Sequence, residues 1–220
     1  DTINVNGKGN DLIDASAIRL EDNTLPESQP EHTLILGWNR RAPIIIRELE
    51  NYVPAGSEVT VVAENEAFDQ LAFFEKLRMG ALDRQKLRFK YGETTDRQML
   101  DEVCKNQFER IIVLSYSDIL NSQDADARTL ITLLHLRDIT EKSRRSFTII
   151  SEMLDVRNRD LAESTRADDF IVSDRLISLM LAQISENHRL GAVFEDLFDP
   201  QGSELYIKPA TLFVETGKPV

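Results

Sequence analysis

From His32 onward, short apolar runs alternate with stretches whose apolar residues recur at helical spacing. Runs of the first kind predict buried strands at Thr33–Leu36, Glu58–Ala63, Leu87–Tyr91, Arg110–Leu114, Phe147–Ile150 and Phe170–Val172. Stretches of the second kind predict helices between them. One follows Asn39, a candidate N-cap, with Pro43 in its first turn and Ile45, Ile46, Leu49 and Val53 as its stripe. Others cover Ala67–Met79, Arg97–Asn106, Asp124–Ile139 and Val156–Ser164. Within Asp124–Ile139, the residues Ala127, Leu130, Ile131 and Leu134 are expected to face the core. Strict alternation of strand and helix predicts an α/β fold, a doubly wound parallel sheet.

The rhythm weakens after Val172. Ser173 reads as the N-cap of a helix reaching Asn187, whose apolar set (Leu176, Ile177, Leu179, Met180, Leu181, Ile184) covers most of its circumference. A helix apolar on nearly all sides is buried on two sides, and near the end of a domain the second side is expected to be another subunit. A further helix is predicted over Ala192–Phe198, then a strand over Gly202–Pro209. The organisation expected is therefore a linker or trailing segment over 1–31, a Rossmann-like unit over 32–172, inter-subunit helices over 173–200 and the start of a second lobe, cut short, over 201–220.

In an open α/β sheet, ligands bind beyond the carboxyl ends of the strands. Those ends carry Gly37, Trp38 and Asn39, then Glu64, Glu93, Ser115 and Glu152. This is the layout of a nucleotide site, but the turn after the first strand lacks the second and third glycines of a dinucleotide fingerprint. Trp38 either blocks the backbone from a pyrophosphate or offers a stacking face. Glu64 has the spacing of a ribose-binding acid, or it ends a strand. Arg40 and Arg41 can bind an anion at a helix N-terminus or form surface ion pairs. Asp118, Asp124, Asp126 and Glu152 are the candidates for a cation such as calcium, although their spacing matches no EF-hand, and acids at a helix start also serve its dipole.

Composition narrows the function classes. The 220 residues carry a net charge of −12, which argues against a nucleic-acid partner. Hydrophobic residues make up 41 %, enough for a sizeable core. A single cysteine, Cys104, rules out an intrachain disulfide and is expected in the core. No apolar run reaches the ~20 residues of a membrane span. The three histidines pair with no nucleophile in a recognisable motif, His135 lying inside an apolar helical run, so no catalytic residue is assigned.

Several segments taken in order resemble one family: Leu36–Arg40, Pro54–Glu58, Asp124–Leu130, Leu136–Ile139, Ile149–Asp155, Asp169–Asp174, Leu179–Gln183, Phe194–Phe198 and Gly202–Ile207. They are similar to the RCK (TrkA-N-like) regulatory domains of channels, most closely to the second RCK domain of the CASTOR/POLLUX ion channels. Gly92–Asp96 resembles a turn of TrkA-like nucleotide domains. The resemblance implies a non-enzymatic, cytoplasmic gating-ring domain of a membrane protein, dimerising through 173–200. It would then work with another RCK domain and the pore domain of the same channel. It implies calcium or an adenine nucleotide such as NAD as ligand, the missing glycines speaking against a dinucleotide. Gly-Trp turns occur in RCK domains gated by calcium, and of the acids at one such calcium site only Glu152 has a counterpart here. The rival reading is an NAD(P)-binding oxidoreductase-like protein, for which no catalytic Tyr/Lys or His is found.

Overall fold

The computed structural model describes residues 29–64, 82–143, 147–158, 161 and 169–201. The helix expected over Ala67–Met79, the strand expected over Gly202–Pro209 and nearly all of the 1–31 segment lie outside the described residues.

Six strands form one parallel sheet: β1 (His32–Leu36), β2 (Ser57–Ala63), β3 (Gln85–Tyr91), β4 (Arg110–Val113), β5 (Thr148–Met153) and β6 (Asp169–Val172). Their order across the sheet is β3-β2-β1-β4-β5-β6. The order reverses between β1 and β4, which puts the crevice for ligands beyond these two strands. Register is continuous there, Leu36 pairing with Val62 on one side and Val113 on the other. This is the fold class the alternating pattern predicts.

The helices are α1 (Ala42–Tyr52), α2 (Arg97–Val103), α3 (Ser122–Ser143), α4 (Ser173–Glu186) and α5 (Leu190–Phe198). Asp96 caps α2 by accepting from the Gln98 N–H. Asn39 is not the N-cap of α1. That position belongs to Arg41, and the Asn39 Oδ1 accepts the Arg41 N–H instead. Of the short helix expected over Val156–Ser164, the described residues show a 3-10 turn at Val156–Asn158 and a helical residue at Leu161.

Each face of the sheet holds its own core. Leu34 and Leu36 pack with Leu100, Val103, Leu133 and Leu136 beneath α2 and α3. Ile35 points the other way, to Trp38, Ala42, Ile46, Val59 and Val61 beneath α1. The period-2 alternation along β1 produces this division, and burial on both faces explains why the strand reads as an unbroken apolar run. Cys104 belongs to the first core, as expected.

The expected inner face of α3 is its outer face. Ala125, Thr129, Thr132, Leu133, Leu136 and Ile139 are buried, whereas Ile131 and Leu134 are 43 % and 50 % exposed. Two stripes compete on this helix, and the one that joins Leu133, Leu136 and Ile139 with two threonines is buried. The Thr129 hydroxyl donates to Ala125 O, and that of Thr132 lies within hydrogen-bond reach of Arg128 O and Thr94 O. Both threonines enter the interior with their polar groups satisfied, which removes the usual penalty.

Gly37 makes the close approach at the switch point possible. Its φ is +93°, and a Cβ there would sit 2.3 Å from the Leu114 carbonyl oxygen. Gly37→Ala combines left-handed strain with a clash against backbone, so it is expected to cost about 2–4 kcal/mol. Denaturant titration would register this as a lowered midpoint with an unchanged slope.

Candidate functional site

The turn after β1, the end of β4 and the end of β5 meet around one carboxylate, Glu152. It is 7 % exposed and three donors converge on it. The Asn39 Nδ2 donates to Oε2 at 2.8 Å, the Ser115 N–H to the same oxygen at 3.2 Å, and the Arg41 Nη1 to Oε1 at 2.5 Å. Asn39 also donates to the Ser115 carbonyl at 2.7 Å and is itself completely buried. A carboxylate can be held in such a place because each charge-assisted bond offsets part of its desolvation. Chemically the arrangement is an anion cradle, with an amide, a backbone N–H and a guanidinium as donors, filled by the chain's own side chain.

Trp38 belongs to the core. It is 4 % exposed and meets the Phe89 ring edge-on, with centroids 6.0 Å apart. The indole fills space beside β1 and β2 and presents almost no exposed face.

Glu64, at the end of β2, is ion-paired to Arg128 of α3, and Arg128 also approaches Glu93 at 3.6 Å. The same guanidinium lies over the Tyr116 ring, 5.1 Å from its centroid. One arginine thus ties together the ends of β2, β3 and β4 and occupies Glu64, whose spacing is that of a ribose-binding acid or of a residue that only ends a strand. Burial pushes the Tyr116 hydroxyl up to about 12; Thr94 opposes the shift and the Glu93 carboxylate adds to it.

The candidate cation ligands do not come together. Asp118 accepts the Arg40 N–H, and the Arg40 guanidinium is 3.9 Å away. Asp124 bonds with Asn121 at the start of α3. Asp126, fully buried, accepts the N–H groups of Leu154 and Asp155 and the Asn158 amide, and so fastens α3 to the segment leaving β5. Among the described residues no three His, Cys, Asp or Glu side chains are grouped to hold a metal ion. Beside the Glu152 cradle an open cleft of about 590 Å³ is bordered by Arg40, Arg41, Ser117, Asp118, Ser122 and Asp174.

Among the functional-site residues that pattern reasoning missed, Arg128 had no signal beyond lying four residues after Asp124 on a helix. Asp126 reads from the sequence as a cation ligand or dipole partner; its acceptor role depends on a turn 28 residues away.

No protein-family model matches the chain. It is 31 % identical over 221 residues to the ion channel DMI1 of Medicago truncatula, covering 86 % of this chain and 25 % of that protein. It is 31 % identical over 217 residues to the ion channel POLLUX of Lotus japonicus, with 84 % and 24 % covered. Against the probable ion channel CASTOR of Oryza sativa subsp. japonica the figures are 30 % over 228 residues, with 88 % and 25 % covered. The chain is a homologue of the CASTOR/POLLUX ion channels. It spans about a quarter of the length of these relatives. Among solved structures, the GsuK channel bound to NAD aligns with a TM-score of 0.45 at 21 % identity, over 67 % of this chain and 22 % of that one. No helix among the described residues of this CASTOR/POLLUX homologue is long and apolar enough to cross a membrane.

Asp126→Ala would leave two backbone N–H groups and an amide without their acceptor, at a cost of about 2–4 kcal/mol. Asp126→Asn keeps one acceptor oxygen and should recover part of that in urea unfolding. The raised Tyr116 value makes a pH prediction. The buried neutral phenol contributes stability that is intact below the ordinary value of 10.0 and is lost as pH rises from there toward about 12. Phenolate absorbance should show one late-titrating tyrosine that disappears in Tyr116→Phe.

Proposed function

We propose that the chain is the cytoplasmic, non-enzymatic regulatory segment of a CASTOR/POLLUX-like cation channel, an RCK-type unit of a gating ring that acts by conformational change. The observation that carries this reading is the open apolar surface of α4 and α5 in a chain homologous to ion channels. Leu181 is 63 % exposed and Phe198 58 %, and Ile177, Leu179 and Val193 are more than half exposed as well. No residue of α5 is buried within its own chain. Contiguous apolar surface of this kind marks an interaction site. A second copy, meeting it through 173–200, is the partner proposed. The other RCK domain and the pore domain would complete the ring.

A ligand bound beyond β1, β4 and β5 can bias such a ring only through different affinities for its two states. Calcium at Glu152 would have to displace the Arg41 guanidinium, and at Asp118 the neighbouring Arg40. A dinucleotide would meet the buried Trp38 and the carboxylate already in the turn. An oxidoreductase reading has no observation in its favour at these strand ends.

Sedimentation equilibrium tests the assembly. The chain is expected to dimerise reversibly, and Leu181→Asp with Phe198→Asp should give a monomer with unchanged far-UV circular dichroism. A wild-type chain that stays monomeric at every concentration would remove the dimer from this reading.

A further inference from the structure

Glu152 occupies the position at which a βα turn receives an anionic ligand. The turn leads into α1, a helix of 11 residues whose first N–H groups have no intrahelical acceptors. The donors on the carboxylate come from three separate places in the chain, Asn39, Arg41 and Ser115. A second feature is an unsatisfied polar group on one of the donor residues. The Ser115 hydroxyl is fully buried and has no hydrogen-bond partner among the described residues, although the N–H of the same residue is bonded to Glu152. The open cleft lined by Arg40 and Arg41 runs alongside.

We propose that Glu152 is a tethered stand-in for a phosphate group, so that this turn is a latent oxyanion site held shut by the chain's own carboxylate. A phosphate and the Glu152 carboxylate compete for the same donors, and only one can be seated. While the carboxylate is seated, the ends of β1, β4 and β5 are clasped together. When an oxyanion takes its place, the β5 end is released from the β1 turn. Because β5 pairs directly with β6, which runs into α4, release at Glu152 reaches the proposed assembly helices through one strand pair. The closure itself depends only on the donor set and stands whether or not the chain serves a channel.

The test is anion rescue of the 220-residue chain. Glu152→Ala removes the tethered anion and leaves Asn39, Arg41 and the Ser115 N–H in place. In chloride buffer its melting temperature should fall well below that of the wild type. Millimolar inorganic phosphate should restore several degrees, and chloride at matched ionic strength should restore none. At the millimolar phosphate that rescues Glu152→Ala, the wild type, with its own carboxylate seated, should not respond. Adding Arg41→Ala to Glu152→Ala should abolish the rescue. Glu152→Gln keeps an acceptor oxygen but frees the guanidinium, and serves if the alanine variant does not fold. Amide chemical shifts at Asn39, Arg41 and Ser115 should then move on phosphate addition in Glu152→Gln and stay still in the wild type. Failure of phosphate to bind either single variant would overturn the proposal. Equal rescue of the double variant would do the same. So would calcium binding by the wild type that Glu152→Gln loses, since the carboxylate would then be a ligand and not an occupant.

Discussion

The buried carboxylate of Glu152 is the constraint around which the functional end of this sheet is arranged. A charge taken out of water needs several donors, and one strand end cannot provide them. Glu152 obtains an amide from the β1 turn, an N–H from the end of β4 and a guanidinium from the residue before α1. Each donor is in turn fixed by something else. Asn39 is tied to the Ser115 carbonyl, and Gly37 lets the turn lie against Leu114. Loss of the carboxylate would leave an arginine and a buried amide facing each other with nothing between them.

The neighbouring ion pairs follow the same logic on the other side of the switch point. Arg128 joins Glu64 and Glu93 and lies against Tyr116, so the ends of β2, β3 and β4 are held by one side chain from α3. Asp126, two residues earlier on that helix, holds the segment beyond β5. Two residues of a single α3 turn therefore grip opposite halves of the sheet edge. A nucleotide domain leaves its strand ends open for a ligand; here protein side chains already satisfy much of that edge.

The fold was largely legible from the pattern of the chain. Six strand-like runs became six strands, most within two residues of their expected bounds: inner strands buried on both faces leave a continuous apolar signal, and the edge strand β3, largely exposed, alternates apolar with charged residues. The resemblance to CASTOR/POLLUX channels agreed with the homology found. Legibility failed on α3, where two helical stripes overlapped and the threonine-bearing one went inside. It also failed in part at the site. Gly37, Asn39, Ser115 and Glu152 all read as strand-end residues, and they do converge. Their relation as cradle and occupant was not visible, since Asn39 and Glu152 are 113 positions apart. Asp118, Asp124, Asp126 and Glu152 fall at strand ends and at the start of the helix between them, where a cation site is expected, yet each turns to a different partner.

By itself, then, the sequence determined the alternation of elements, the parallel sheet, the altered turn after β1 and the excess of apolar surface on the last two described helices. These are local properties, set by side-chain periodicity and by the conformational freedom of single residues such as Gly37. Only the tertiary structure decided which of two faces α3 buries, which acids meet arginines and which carboxylate fills the turn. Those outcomes depend on where donors from distant segments arrive in space, and on the desolvation that makes an unpartnered charge costly once they do.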